Sequence, residues 1–226
     1  MTVPSVDLMV PVKGLARAKS RLRGAADGGV GDPEAHERLV IALTRDTTRA
    51  ASAAPQVRRV IVLTSDPRVT AAMSADGITV FADRPELDLN GALRFGAGAL
   101  GDDAIAIGAL QADLPSLRTD ELADALDSAL GLFRAGLATR AFCPDAQGGG
   151  TTLLLAAPGI ALRPRFGPGS ALAHEHDGAA RLLGDWPGLR QDVDHPDDLR
   201  RAEEIGIGPA TAETLARLRN ATRSRC

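Results

Sequence analysis

The chain has 226 residues, 44% of them hydrophobic and 24% charged, which suffices for one full hydrophobic core and is short for two domains. A net charge of −3 and a sequence pI near 5.8 exclude the basic stripe of a duplex-DNA binder. With 3% aromatic residues there is little on which single-stranded bases could stack, so nucleic acid is not an expected partner.

In chain order, "VDLMVPV" (6–12) reads as a buried first strand, followed by a loop of small and basic residues and the Gly-rich "GAADGGVGDP". Asp32 suits the N-cap and Pro33 the first position of a helix whose Leu39, Leu43 and Ala50 share a face. "RRVIVLT" (58–64) is a second strand ending in the turn "SDP", and "ITVFAD" (78–83) a third. "NGALRFGAGAL" (90–100) predicts a short helix, and "AIAIGAL" (104–110) a fourth, central strand. Thr119 is placed to cap a helix carrying Leu122, Leu126, Leu130 and Phe133 at helical spacing. "LATRAFCP" and "TTLLLAAP" predict two more strands with a Gly-rich join. "GSALAHEHDGAARLLG" then reads as a helix, "LRQDVD" as a last strand, and "HPDDLRRAEEIG" as a terminal helix stopped by Gly206. Strand–helix repeats with strands apolar throughout predict one α/β domain over residues 1–226, its mainly parallel sheet covered on both faces.

Two cysteines far apart, Cys143 and Cys226, make neither a disulfide framework nor a thiolate metal site. The N-terminus has no basic region followed by an apolar run, and "LLLAAPGIAL" is short and broken by Pro158 and Gly159. The expectation is a cytoplasmic protein with no membrane partner.

In open sheets, ligands bind beyond the carboxyl ends of the strands. After the first strand, "VKGLARAKSRL" holds both lysines of the chain, Lys13 and Lys19, with Arg17 and Arg21. It matches neither G-x-G-x-x-G nor the P-loop, and flexible ammonium donors among small residues suit a triphosphate whose charge moves during reaction. The plainer reading is a solvated basic loop. After the fourth strand, Asp113 in "LQADLPSL" suits a hard cation such as Mg²⁺, or else simply a turn before the next helix. Asp192 and Asp194 in "DVDHPDD" would share one face of a strand, where two carboxylates repel unless a cation lies between them. Alternatively the acidic cluster caps the following helix, a role that falls more naturally to Asp197 and Asp198. "DAQGGGTT" (145–152) and "RFGPGS" (165–170) combine glycines with hydroxyls and read as backbone cradles for an anion. His174 and His176 in "AHEH" lie two apart, so they do not share a helix face and do not form a chelate, while Cys143 reads as a buried small hydrophobe.

Taken together, "VPVK…AKSRL", "LNGAL", "ADLPSL", "GGGTTLLL", "RFGPGS" and "DVDHPDDL" resemble the guanylyltransferases of deazaflavin coenzyme F-420 biosynthesis, relatives of the molybdenum-cofactor guanylyltransferase. The resemblance runs from about residue 6 to 207 with the motifs in order. It implies a single-domain, three-layer α/β/α nucleotidyltransferase, Rossmann-like with a mainly parallel mixed sheet. It also implies transfer of GMP from GTP to phosphoenolpyruvate, with 2-phospho-L-lactate as the alternative acceptor. On the matching positions, Lys13 and Lys19 would lie along the GTP phosphates as catalytic groups together with Asp113. Arg21 and Asn90 would help hold the nucleotide, and Asp113, Asp192 and Asp194 would hold Mg²⁺. Thr151, Thr152, Gly167 and Ser170 would take the phosphorylated acid. His195 stands where the family usually has threonine, and a glycine precedes the hydroxyl pair, which leaves the register of Thr151 and Thr152 open. A homodimer is compatible with the resemblance. The rival functions are guanylyl transfer to a sugar phosphate or molybdopterin, a nucleotide-binding module without catalysis, and an NAD-dependent reductase, the last disfavoured by the missing glycine fingerprint.

Overall fold

The computed structural model describes residues 6–15, 20–84, 86–100 and 104–223. Its centre is one seven-stranded sheet in the order β3-β2-β1-β4-β6-β5-β7. The strands are β1 (Val6–Pro11), β2 (Val57–Thr64), β3 (Thr79–Ala82), β4 (Ala106–Leu110), β5 (Arg140–Pro144), β6 (Thr151–Ala156) and β7 (Ala180–Arg181). The first four run parallel, β6 is antiparallel to both β4 and β5, and β7 is parallel to β5. The expected α/β class and mainly parallel mixed sheet are thus observed, with β6 the one reversed strand.

The helices are α1 (Pro33–Ser52), α2 (Pro67–Ala75), α3 (Leu89–Leu100), α4 (Thr119–Arg134), α5 (Ser170–His176), α6 (Pro187–Arg190), α7 (Pro196–Ile205) and α8 (Pro209–Arg223). Side-chain alternation along the strands divides the core. Leu8, Val10, Val60, Val62, Leu153 and Leu155 face Val40 of α1 and Leu122 and Leu126 of α4. Met9, Ile61, Leu63 and Leu154 face Leu93 of α3 and Ala171 of α5. A third cluster joins Leu39 and Leu43 of α1 to Leu199 of α7 and to Leu215 and Leu218 of α8. In β4, a Cβ at Gly108 would lie 2.7 Å from methyl groups of both Leu8 and Leu155, so a larger residue there would have to push both leucines aside. Among the described residues no helix is long and apolar enough to cross a membrane.

Several local expectations are corrected. Asp66 does more than make a turn: its side chain accepts from Arg68 and Val69 N–H and starts α2, a helix the sequence pattern did not separate. Thr119 does not cap α4; Arg118 occupies the N-cap, and the Thr119 hydroxyl donates to Ala50 C=O on α1. The helix expected over 169–184 stops at His176, where Gly178 takes a left-handed φ of 80° and β7 follows. "LRQDVD" is not a strand, because among the described ladders no neighbour pairs with it; it forms the short α6 and an irregular segment, held at Val193 N–H by Asp113 C=O (3.1 Å). The chain also continues past Gly206 into α8, whose first turn is capped from α1 by Asp46, accepting from Ala210 (3.0 Å) and Thr211 (2.7 Å) N–H.

Candidate active site

The strand order turns outward between β1 and β4: β2 and β3 extend from one, β6, β5 and β7 from the other. That point is the topological switch of an open α/β sheet, where a crevice forms beyond the strand ends. Lys13 follows β1 and Asp113 follows β4, so the switch brings the two together. They line one cavity of about 290 Å³ with Gln111, Asp194 and Gly167. A larger cavity, about 450 Å³ and mostly apolar, opens at the opposite ends of β1 and β4 around Ala106 and Ile107.

The Lys13 ammonium is held rather than loose. Its Nζ lies 2.7 Å from Asp83 Oδ2, beyond β3, and donates to Leu87 C=O at 3.0 Å. Asp83 is itself 8% exposed, so this ion pair sits at the rim of the core. The backbone just beyond is anchored too, since Leu15 N–H donates to Asp66 Oδ2. Lys19 and Arg17 lie outside the described residues. Arg21 is exposed, its guanidinium 3.4 Å from His195 Nε2.

Asp113 is 4% exposed. Thr47 of α1 secures its backbone, accepting from Leu114 N–H at 3.0 Å while its hydroxyl lies 3.2 Å from Ala112 C=O. Asp194 is exposed and shares the cavity, whereas Asp192 is half-buried and is not part of that lining. Asp198 takes the capping role expected for it, accepting from Asp194 (3.2 Å) and His195 (2.8 Å) N–H at the start of α7. Among the described residues no three His, Cys, Asp or Glu side chains gather closely enough to enclose a metal ion. Two carboxylates on one cavity nonetheless fit a hard cation such as Mg²⁺, which typically keeps one or two protein carboxylates and completes its shell with waters and substrate phosphates.

Of the residues expected to take the acceptor, Gly167 alone lines that cavity, while Thr151, Thr152 and Ser170 are buried outside its lining. The glycines at 148–150 do not offer a bare cradle: Asp145 accepts from Gly149 (3.0 Å) and Gly150 (2.8 Å) N–H. Ala171 N–H reaches Gly149 C=O and so ties the two Gly-rich loops together. Asn90 is committed to the second loop, with its amide donating to Phe166 C=O (2.9 Å) and accepting from Phe166 N–H (2.8 Å). Gly167 and Gly169 adopt φ of 134° and 74°, values that favour glycine. Thr152 is fully buried, its hydroxyl 3.5 Å from Cys143 C=O, while Thr151 Oγ1 lies 2.9 Å from Nδ1 of the fully buried His174. Ser170 is 2% exposed at the start of α5. Burial lifts the Cys143 thiol to about 11, so it is a packed side chain and not a nucleophile.

His174 is the residue that sequence reasoning passed over. Its signal is present only in three dimensions, because its partners Thr151 and Arg165 lie on other elements. Burial, with a smaller contribution from Arg165 and against the pull of Asp177, drives its pKa down to about 4.

Residues 6–219 match the family model described as "Guanylyl transferase CofC like". The phosphoenolpyruvate guanylyltransferase of Geodermatophilus obscurus is 48% identical over 215 residues, covering 95% of this chain and 96% of that one. The enzyme of the same name from Salinispora arenicola is 49% identical over 205 residues, covering 91% of each. Among solved structures, a nucleotidyl transferase from Methanothermobacter thermautotroptrophicus matches with a TM-score of 0.57 at 18% identity, covering 89% of this chain and 97% of that one, a likeness of fold.

Proposed function

The chain belongs to the CofC-like guanylyl transferase family, and on that premise we propose that it transfers GMP from GTP to phosphoenolpyruvate, giving enolpyruvyl-diphospho-guanosine and pyrophosphate. The observation that carries the reading is the meeting of Lys13 and Asp113 on one cavity at the β1/β4 switch point, with Gly167 of the 165–170 loop also in its lining. By the family resemblance this is a step of coenzyme F-420 biosynthesis.

In this reading a phosphate oxygen of phosphoenolpyruvate attacks the α-phosphorus of GTP in line. A new P–O bond forms, the bond between the α-phosphorus and its bridging oxygen breaks, and the electron pair leaves with pyrophosphate. The nucleophile is already an anion, so no general base is required. The barrier comes from bringing two polyanions together and from charge developing on the leaving group. Lys13 would face the triphosphate, and Lys19 and Arg21, which follow it in the sequence, would add positive charge toward the phosphates. Asp113 and Asp194 would hold Mg²⁺, with Asp192, two positions before Asp194, as a further carboxylate, and the bound cation would neutralise phosphate charge. Ser170, Gly167 and the Thr151–Thr152 pair would receive the phosphorylated acid. Asn90 serves by shaping the loop at Phe166, a role its two hydrogen bonds support better than direct contact with the nucleotide.

The test is pyrophosphate release from GTP and Mg²⁺ with phosphoenolpyruvate, 2-phospholactate and 3-phosphoglycerate in parallel. The expected result is the highest kcat/KM for phosphoenolpyruvate. Preference for 2-phospholactate would reassign the acceptor, and GTP binding without pyrophosphate release on any of the three would overturn catalysis.

A further inference from the structure

The backbone N–H of Arg165 points at Nε2 of His174 at 2.9 Å. A backbone amide can only donate, so Nε2 accepts, and in a neutral imidazole the single proton must then sit on Nδ1. Nδ1–H therefore donates to Thr151 Oγ1 at 2.9 Å, and the Thr151 hydroxyl keeps its own proton for another acceptor. One ring thus joins the first residue of β6 to the entry of the 165–170 loop. The ring is itself locked: it is fully buried, packs edge-on against Phe166 at 5.3 Å, and lies 5.9 Å from Phe142. Asn90 grips the adjacent residue of the same loop from α3 through two hydrogen bonds. Gly167, next along, lines the cavity that holds Lys13 and Asp113.

We propose that His174 is a positioning residue for the acceptor, its neutral ring fixing both the direction of the Thr151 hydroxyl and the shape of the 165–170 loop that together receive the phosphorylated acid; this rests on the assignment of that end of the cleft to the acceptor. Neutrality is essential to the device. A protonated ring would offer two donors, and the Arg165 N–H would lose its acceptor. The charged groups around the ring are Asp177, at the end of its own helix, and Arg165, whose guanidinium pairs with Asp177 at 2.9 Å. The low pKa of about 4 keeps the ring neutral at physiological pH.

The two contacts can be separated chemically. In His174→Gln the amide oxygen reaches the place of Nε2 and keeps an acceptor for Arg165 N–H. In His174→Asn the amide nitrogen takes the place of Nδ1 and keeps a donor for Thr151. Steady-state kinetics of both variants and of Thr151→Val should show the KM for phosphoenolpyruvate raised about tenfold, the worth of one hydrogen bond, with the KM for GTP within about twofold of the unaltered enzyme. The Gln variant should retain slow hydrogen exchange at the Arg165 amide and the Asn variant should lose it. Nitrogen NMR of the unaltered enzyme should show the Nδ1–H tautomer at neutral pH. An unchanged acceptor KM in all three variants would overturn the proposal, as would losses shared equally between the two substrates, the mark of a merely structural role. If the unaltered protein released no pyrophosphate with any of the three acceptors, the guanylyltransfer reading would fall and this role with it.

Discussion

Lys13 and Asp113 stand at the ends of the parallel neighbours β1 and β4 and bring formal charge to the cleft, whereas across β6 backbone N–H groups of the 145–150 and 165–170 loops donate to Asp145, Asn90 and His174. The first wall is electrostatic. In the proposed reading its groups gain their value from phosphates that bring opposite charge or share a cation; Asp83 lies 2.7 Å from the ammonium. The second wall is steric and directional, because Gly167 and Gly169 give the backbone an unusual course and neutral side chains then lock it. A polyanion such as GTP is matched by the first kind of wall. A small phosphorylated acid, distinguished from its relatives by shape, is matched by the second.

Removing charge from the first wall should produce the largest effect. Asp113→Asn is expected to lower turnover about 10³-fold, measured as pyrophosphate release, with little change in melting temperature; a loss under about tenfold would remove Asp113 from the metal assignment. Lys13→Ala should cost about 10²-fold in kcat/KM for GTP, and Lys13→Arg should recover little of it, because a planar fork does not reproduce a point donor shared between Asp83 and Leu87 C=O. On the second wall stability should respond as well as the acceptor KM. The folded state holds His174 at about 4 against 6.5 for the free side chain, so between those values the unfolded chain binds a proton that the folded chain refuses. Its contribution is complete above about pH 6.5 and is lost as the pH falls toward 4, on the order of 2 kcal/mol, and His174→Gln should flatten that slope in denaturant titrations. The smallest effect is expected at Thr47→Val, which removes the acceptor from Leu114 N–H behind Asp113 and should cost about 1 kcal/mol by the same titration.

The two walls also differ in how far they could be read from the amino-acid order. Lys13 and Asp113 were legible because each follows an apolar strand, and open sheets place function at those ends. The Asp32–Pro33 helix start was equally local. Contacts made across the fold were not legible. Asp46 caps α8 from 164 and 165 positions away, so although Pro209 suits a first helical position, no side chain near it marks the cap. The segment 191–195 has the alternation of a strand but pairs with none: Gln191 N–H closes the short α6 onto Pro187 C=O, Val193 N–H reaches Asp113 C=O, and His195 C=O accepts from the first turn of α7. The Asn90 hydrogen bonds were equally out of reach, since their partner Phe166 lies 76 positions away. His174 carries no local signal, since His176 two positions on lies on another helix face and its partners are Thr151 and Arg165.

The most direct test of a cleft with two walls is the pair of Michaelis constants measured on Lys13→Ala and Ser170→Ala beside the unaltered enzyme. The charge-and-shape account predicts a crossed result: Lys13→Ala raises the KM for GTP and spares that for phosphoenolpyruvate, while Ser170→Ala does the reverse. Equal increases in both constants for either variant would contradict it, because nucleotide and acceptor would then share the surface assigned to one of them.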